Sequence, residues 1–299
     1  MKRILVTGAS GFLGWNICCS AAGGWETMGT YFRHPITIPG ATLVRIDLTD
    51  FESLRALFHD IRPDGVVHAA ANPDAEYCEL HPDESHTINV DVPRELARLC
   101  ADCRVPFLFT SSDLVFDGLN PPYREEDPVS PLSHYGRQKC MAESGIREVY
   151  PDATICRLPL MFGLRGSGPG GLLAGLSKAM RARKELRLFV DEYRTPVSGK
   201  TAAAGILLAL GRHKGPLHLG GRERISRYEF GRLVAGTLGD GGVRLIPCRQ
   251  REATTSALRP PDVSLDSSRA FAMGFSPLPL AEELARIRET LGFDGGNWA

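Results

Sequence analysis

The sequence predicts an α/β chain, a doubly wound parallel sheet followed by a smaller C-terminal body, and three observations carry that expectation. Short apolar runs alternate with helical stretches from Arg3 to Val149. A glycine-spaced turn, Gly8-Ala9-Ser10-Gly11-Phe12-Leu13-Gly14, joins the first apolar run to the first helix. Beyond about Phe162 the alternation becomes irregular, with no internal repeat and no long linker.

The first element is a strand over Arg3 to Thr7, and Trp15 to Ala22 reads as a helix stopped by Gly23-Gly24. A strand, a glycine turn and a helix N-terminus make an anion site, because free backbone N–H groups and the helix dipole both face the turn. At the first strand-to-helix junction this is the Rossmann-type position for a dinucleotide pyrophosphate, with Gly8, Ser10, Gly11, Phe12, Leu13 and Gly14 lining it. The second strand, about Thr27 to Phe32, ends in Tyr31-Phe32-Arg33-His34-Pro35 with no acid to receive the adenosine ribose hydroxyls. A guanidinium there suits a 2′-phosphate, so NADPH is the expected cofactor through Arg33, assisted by His34, with NADH the alternative.

A third strand, Thr42 to Ile46, runs into Asp47-Leu48-Thr49-Asp50, and the helix Phe51 to Ile61 follows with Thr49 and Glu52 as a capping box. Asp47 stands at a strand's carboxyl end, where it could reach the adenine amine or simply order the loop. The fourth strand, Val66 to Ala71, ends in Ala69-Ala70-Ala71, small enough for a cofactor to lie against the backbone; His68 within it reads as a hydrogen-bonded core histidine. Helix Ser85 to Asp102 carries Asn89, and a fifth strand, Val105 to Thr110, leads to Ser111-Ser112-Asp113. The Pro- and acid-rich connection Asp117 to Pro131 returns the chain to a helix bearing Tyr135 and Lys139. Spaced i and i+4, these two share one helix face. The pairing is common by chance and acquires meaning only beside Ser112 and the glycine turn.

At 299 residues the chain has room for one large or two unequal domains. Lys plus Arg and Asp plus Glu balance at 35 each, without long single-sign runs, which argues against nucleic-acid or membrane-surface partners. Glycines interrupt the N-terminal apolar run at once and no stretch has the length of a membrane span, so a cytoplasmic protein is expected. The eight cysteines read as structural thiols of a reducing compartment. Cys100-Ala101-Asp102-Cys103 has metal or redox spacing, but no second pair completes a site, and no metal is expected. A homodimer is the default from base rates.

The set Thr7-Gly8-x-x-Gly11-x-x-Gly14, Asp47-Leu48, His68-Ala69-Ala70-Ala71, Asn89-Val90, Ser111-Ser112 and Tyr135-x-x-x-Lys139 resembles the extended short-chain dehydrogenase/reductases. Ser111 to Gly118, Asp191-Glu192-Tyr193-Arg194-Thr195-Pro196 and Arg259-Pro260-Pro261-Asp262-Val263-Ser264-Leu265-Asp266 resemble the dTDP-4-dehydrorhamnose reductase branch. The resemblance implies an NAD(P)-dependent oxidoreductase that reduces a keto group on a nucleotide-linked sugar. Ser112, Tyr135 and Lys139 are its expected catalytic residues. Ser111, with the glycine turn, Arg33, His34, Asp47, Leu48, Ala69 to Ala71, Tyr135 and Lys139, is expected to hold the cofactor. Ser112, Asp113, Tyr135, Arg194 and Arg259 are expected to hold the substrate. Bringing a phenol from pKa ~10 to about 7 takes about 4 kcal/mol, which Lys139 and the oxidised nicotinamide are expected to supply. Residues 1–160 with about 195–222 are the expected NADP-binding domain, and about 161–194 with 223–299 the substrate domain.

Two departures stand at the substrate side. The branch carries a tryptophan after the sixth strand where this chain reads Arg157-Leu158-Pro159-Leu160-Met161-Phe162-Gly163, and an Asn-Phe pair where it reads Gly170-Gly171. They leave open a sugar-nucleotide epimerase or dehydratase holding NAD, a ketoreductase of another substrate class, or a non-catalytic subunit like the dehydrorhamnose-reductase-like regulatory subunit of methionine adenosyltransferase.

Overall fold

The computed structural model describes residues 1–182, 184–239, 243–253 and 256–292. Residues 293–299, placed above with the second body, lie outside the described residues.

Strands β1 (Arg3–Thr7), β2 (Glu26–Tyr31), β3 (Ala41–Arg45), β4 (Gly65–His68), β5 (Phe107–Ser112) and β6 (Thr154–Leu158) lie side by side in the order β3-β2-β1-β4-β5-β6. The strand Gly215–His218 adds to the β6 edge, and every neighbouring pair is parallel. This is a Rossmann-like sheet. Successive side chains of a strand face opposite ways. Ile4 and Val6 therefore enter one core with Val67, Leu108 and Cys156, while Leu5 enters the other with Val66, Phe107, Phe109 and Ile155. Helix α1 (Phe12–Ala21) and the helix Gly199–Ala209 cover the first face, and α2 (Phe51–Ile61) lies on the second. The chain order reverses between β1 and β4, which opens a crevice at their carboxyl ends.

Three local readings are corrected. The cap of α2 is Asp50, which accepts from the Ser53 amide at 3.2 Å; Thr49 turns instead to Asp47. The single helix expected over 85–102 is three segments after α3 (Ala75–Leu80): α4 (Pro82–His86), a π turn over Thr87–Asp91, and α5 (Val92–Cys103). Pro93 has no N–H to give the Asn89 carbonyl, so the α ladder cannot continue there, and the Val92 amide reaches back to Thr87. The glycine-rich loop expected over Leu164 to Gly171 is a hairpin, Met161–Arg165 paired antiparallel with Gly168–Gly171. Glycines carry no side chain, so an alternating pattern has nothing to show there.

The hairpin opens a second, smaller body with its own core of Phe162, Leu173, Leu176, Met180, Phe230, Val234 and Leu284. Helices Leu172–Arg181, Arg227–Leu238 and Leu280–Leu291 surround it, with strand Leu186–Phe189 paired to Leu245–Cys248. Among the described residues no helix is long and apolar enough to cross a membrane.

Candidate active site

The glycine turn is built by close approach. Gly8 has φ +72°, and a Cβ on it would stand 2.7 Å from the Ala70 Cα; a Cβ on Gly14 would stand 2.1 Å from the Gly8 carbonyl oxygen. The turn thus presses against Ala69-Ala70 at the end of β4. Thr7 locks the same junction, accepting from the Ala69 and Ala70 amides at 3.2 and 3.4 Å. Its own proton goes to Nδ1 of His68 at 2.8 Å, which leaves a neutral imidazole with the other proton on Nε2. Burial holds His68 at a pKa of about 3, and its Nε2 has no partner, so it is a core histidine. No side chain caps α1, and the first-turn amides at Phe12 and Leu13 face the crevice without intrahelical partners, as a pyrophosphate would require.

At the end of β2, Arg33 and His34 are exposed, the Arg33 guanidinium 5.5 Å from the centre of the Phe32 ring. Asp47 accepts from the Thr49 amide and hydroxyl at 3.0 and 2.7 Å, an ordered loop that leaves its carboxylate exposed, while Leu48 is buried. A neighbour that sequence reasoning missed is Tyr77 on α3. It stacks on His81 at 4.5 Å, donates to Glu84 and feels the Arg33 charge.

The chemistry lies where β5 meets helix α6 (His134–Val149). Ser133 caps α6 by accepting from the Gly136 amide at 3.2 Å. Gly136 lies so close to the turn Asp113–Val115 that a Cβ would stand 2.3 Å from the Leu114 carbonyl oxygen. That contact brings Tyr135 to Ser112 and Asp113. The Ser112 hydroxyl donates to Asp113 Oδ1 at 3.1 Å and accepts from the Leu114 amide at 3.1 Å. Tyr135 is 8% exposed, and its hydroxyl makes no hydrogen bond among the described residues.

Lys139 is fully enclosed one turn below, Nζ donating to the Thr110 carbonyl at 3.0 Å and standing 4.5 Å from the Phe109 ring centre and 5.7 Å from that of Tyr135. One turn further, Glu143 accepts from Ser111 at 2.6 Å and from Arg157 at 3.1 and 2.8 Å. Ser111, expected to touch the cofactor, is therefore tied to this buried pair. Asn89, on the π turn, donates to Gln138 at 2.8 Å.

The electrostatics correct one expectation. The protein alone does not lower the Tyr135 phenol: burial raises it above its ordinary range, and the Asp113 carboxylate and Cys78 add to the rise. Burial brings Lys139 down to about 8, opposed by Glu143. Asp113 is pushed up to about 6 by burial, held back by Arg194.

Arg194 is buried rather than open to a phosphate. Its Nε lies 3.4 Å from Asp113 Oδ2 and its Nη2 3.5 Å from Glu192 Oε1, while Nη1 donates to the Tyr193 and Pro260 carbonyls. Glu192 also draws in Arg227 at 3.7 Å and Arg259 at 3.9 Å, and Arg259 is the more exposed of the three arginines. Asp113 Oδ2 and Glu192 Oε2 have no hydrogen-bond donor. Glu192 and Arg227 were not anticipated as site residues. Glu192 lies inside the Asp191 to Pro196 motif, which was the available signal; Arg227, in the first turn of its helix, gave none.

A family profile, the RmlD substrate binding domain, matches residues 1–292. The chain belongs to this family. It is with it an oxidoreductase of the extended short-chain dehydrogenase/reductase type. The probable low-salt glycan biosynthesis reductase Agl14 of Haloferax volcanii is 30% identical over 288 residues, 94% of this chain and 96% of that protein. Methionine adenosyltransferase 2 subunit beta of Bos taurus is 28% identical over 281 residues, 91% and 83% of the two chains. The crystal structure of a hypothetical dTDP-4-dehydrorhamnose reductase from Sulfolobus tokodaii superposes with a TM-score of 0.79 at 31% identity, covering 93% of this chain and 98% of that one.

Within the RmlD family, the Gly170-Gly171 departure has a local cause here. Cβ atoms on Gly170, Gly171 and Gly199 would stand 2.4, 3.2 and 2.6 Å from the Phe12 ring. Phe12, expected at the cofactor, thus seats its ring in a glycine socket of the second body and leaves only its amide toward the crevice. No comparable contact explains Leu160 in place of the family tryptophan.

Proposed function

We propose that this RmlD-family chain catalyses NADPH-dependent reduction of a keto group on a nucleotide-activated sugar, the seven-stranded body holding the cofactor and the smaller body the sugar nucleotide. The observation that carries the reading is the buried phenol of Tyr135, kept protonated by its surroundings, beside Ser112 at the carboxyl end of β5.

When bound, NADPH supplies the hydride to the carbonyl carbon. Tyr135 gives its phenolic proton to the carbonyl oxygen, and the Ser112 hydroxyl turns from Asp113 to hydrogen-bond the same oxygen. A phenol that burial keeps protonated is suited to donation. Lys139, charged below about pH 8, stabilises the phenolate left behind and is within reach of the nicotinamide ribose. The amides of the glycine turn hold the pyrophosphate and Arg33 the 2′-phosphate. Asp113 and Arg259 face the sugar nucleotide. The free state of all eight cysteines suits a reducing cytoplasm.

The test is oxidation of NADPH by the purified chain with a panel of keto nucleotide sugars. Turnover on at least one, abolished in Tyr135→Phe, is the expected result; undiminished turnover in the variant would remove Tyr135 from the mechanism. A second reading, a subunit of a larger assembly, rests on the likeness to methionine adenosyltransferase 2 subunit beta. Stoichiometric co-purification of a partner with no turnover on any keto sugar would favour it.

A further inference from the structure

Arg165 ends the first strand of the hairpin in the second body and is exposed. It nevertheless reaches the glycine turn, its Nη1 donating to the main-chain carbonyl of Ser10 at 2.9 Å across 155 residues of sequence. Two neighbouring contacts fix this approach. Asn16 on α1 donates both to the Phe12 carbonyl at 2.9 Å and to the Leu164 carbonyl at 3.1 Å, joining the first turn of α1 to the strand that carries Arg165. The Phe12 ring fills the socket of Gly170, Gly171 and Gly199 on the other side. The guanidinium is thereby held at the rim of the turn, and its remaining N–H groups make no hydrogen bond or ion pair among the described residues.

We propose that Arg165 is a further cofactor ligand, a guanidinium that closes on the pyrophosphate of the dinucleotide from the second body. The inference rests on the dinucleotide reading of the glycine turn. The chemistry is that of a planar donor fork and an anion. One N–H is spent on the Ser10 carbonyl, which orients the side chain in advance, so little rotamer freedom is lost when the free donors meet phosphate oxygens. The helix-start amides approach the anion from the β-sheet side, and Arg165 adds a full charge that those amides lack.

The experiment is an equilibrium titration of the full chain with NADPH and NADH, with competition by ADP and by 2′-AMP, in wild type, Arg165→Ala and Arg165→Lys. ADP carries the pyrophosphate and 2′-AMP does not. Arg165→Ala is expected to weaken NADPH, NADH and ADP alike by about tenfold, the scale of a charge-assisted hydrogen bond, and to leave 2′-AMP unchanged. Arg165→Lys is expected to fall between. Unchanged ADP binding, a loss confined to NADPH, or an equal loss for ADP and 2′-AMP would overturn the assignment, the last pointing to a tie that only shapes the turn. Failure of the wild-type chain to bind any dinucleotide would sink both this inference and the functional reading; wild-type binding that Arg165→Ala leaves intact would sink this one alone.

Discussion

The Nζ of Lys139 donates to the Thr110 carbonyl at 3.0 Å while standing 5.7 Å from the centre of the Tyr135 ring. The lysine is thus anchored to β5 by a neutral acceptor, and its charge is enclosed without a directly bonded carboxylate. A base whose folded pKa is lowered, here to about 8, penalises the folded state while it is charged. The penalty is in full force below pH 8 and fades as pH rises toward the unfolded value near ~10.5. It is worth about 3 kcal/mol, against about 1 kcal/mol for the Thr110 hydrogen bond. Lys139→Met is therefore expected to gain about 1–2 kcal/mol at pH 7 and to lose that advantage by about pH 10, while turnover collapses. Urea denaturation at the two pH values checks the sign.

Tyr135→Phe removes a hydroxyl that has no hydrogen-bond partner among the described residues. Loss of the proton donor is expected to lower kcat by about 10²- to 10⁴-fold. Thermal stability should not fall, because no bond is broken. A marked drop in Tm would show that the hydroxyl holds the fold instead.

Gly14 and Gly24 make a matched pair of probes. A methyl on Gly14 meets the Gly8 carbonyl oxygen at 2.1 Å, whereas nothing lies within 4 Å of one on Gly24. Gly14→Ala is expected to cost roughly 2–4 kcal/mol and to abolish dinucleotide binding, with Gly24→Ala within about 0.5 kcal/mol of wild type. Chemical denaturation of both variants, with NADPH titration, measures the contrast.

The buried Arg157 and Glu143 pair sits directly behind Lys139 and Ser111. Arg157→Met would strand the Glu143 carboxylate, an expected loss of about 3–5 kcal/mol, and the double change with Glu143→Leu should recover much of it. A double-mutant cycle by urea denaturation is the measurement; equal losses in single and double variants would deny the coupling.

Arg33 is exposed at the end of β2, with no carboxylate ion pair among the described residues. Arg33→Ala is expected to weaken NADPH by about ten- to a hundredfold and leave NADH nearly unchanged. An equal loss for both cofactors would place the guanidinium elsewhere.

The sheet was legible because strand periodicity and glycine turns are local signals: β1 to β5 lie within two residues or so of their expected bounds, and Leu280–Leu291 matches its own. Tyr135 and Lys139 could be paired from helical spacing alone. What escaped depends on contacts between distant segments. The strand character of Gly168–Gly171 comes from its partner across the hairpin, and Arg227 joins Glu192 only through tertiary packing. The π turn was hidden for a different reason, since Pro93 near a helix start reads as a permitted first-turn proline rather than as a shift of register. The phenol's raised pKa follows from enclosure and from Asp113, neither of which a one-dimensional pattern reports.

The seat of Phe12 among Gly170, Gly171 and Gly199 bears on how this chain could be recombined with its relatives. A chimaera taking its second body from a protein with the Asn-Phe pair would bring two side chains into space the Phe12 ring already fills. Residue 12 would have to shrink in the same step. The two bodies are in this sense inherited as a set, and swapping experiments on the substrate side should carry a substitution in the first helix with them.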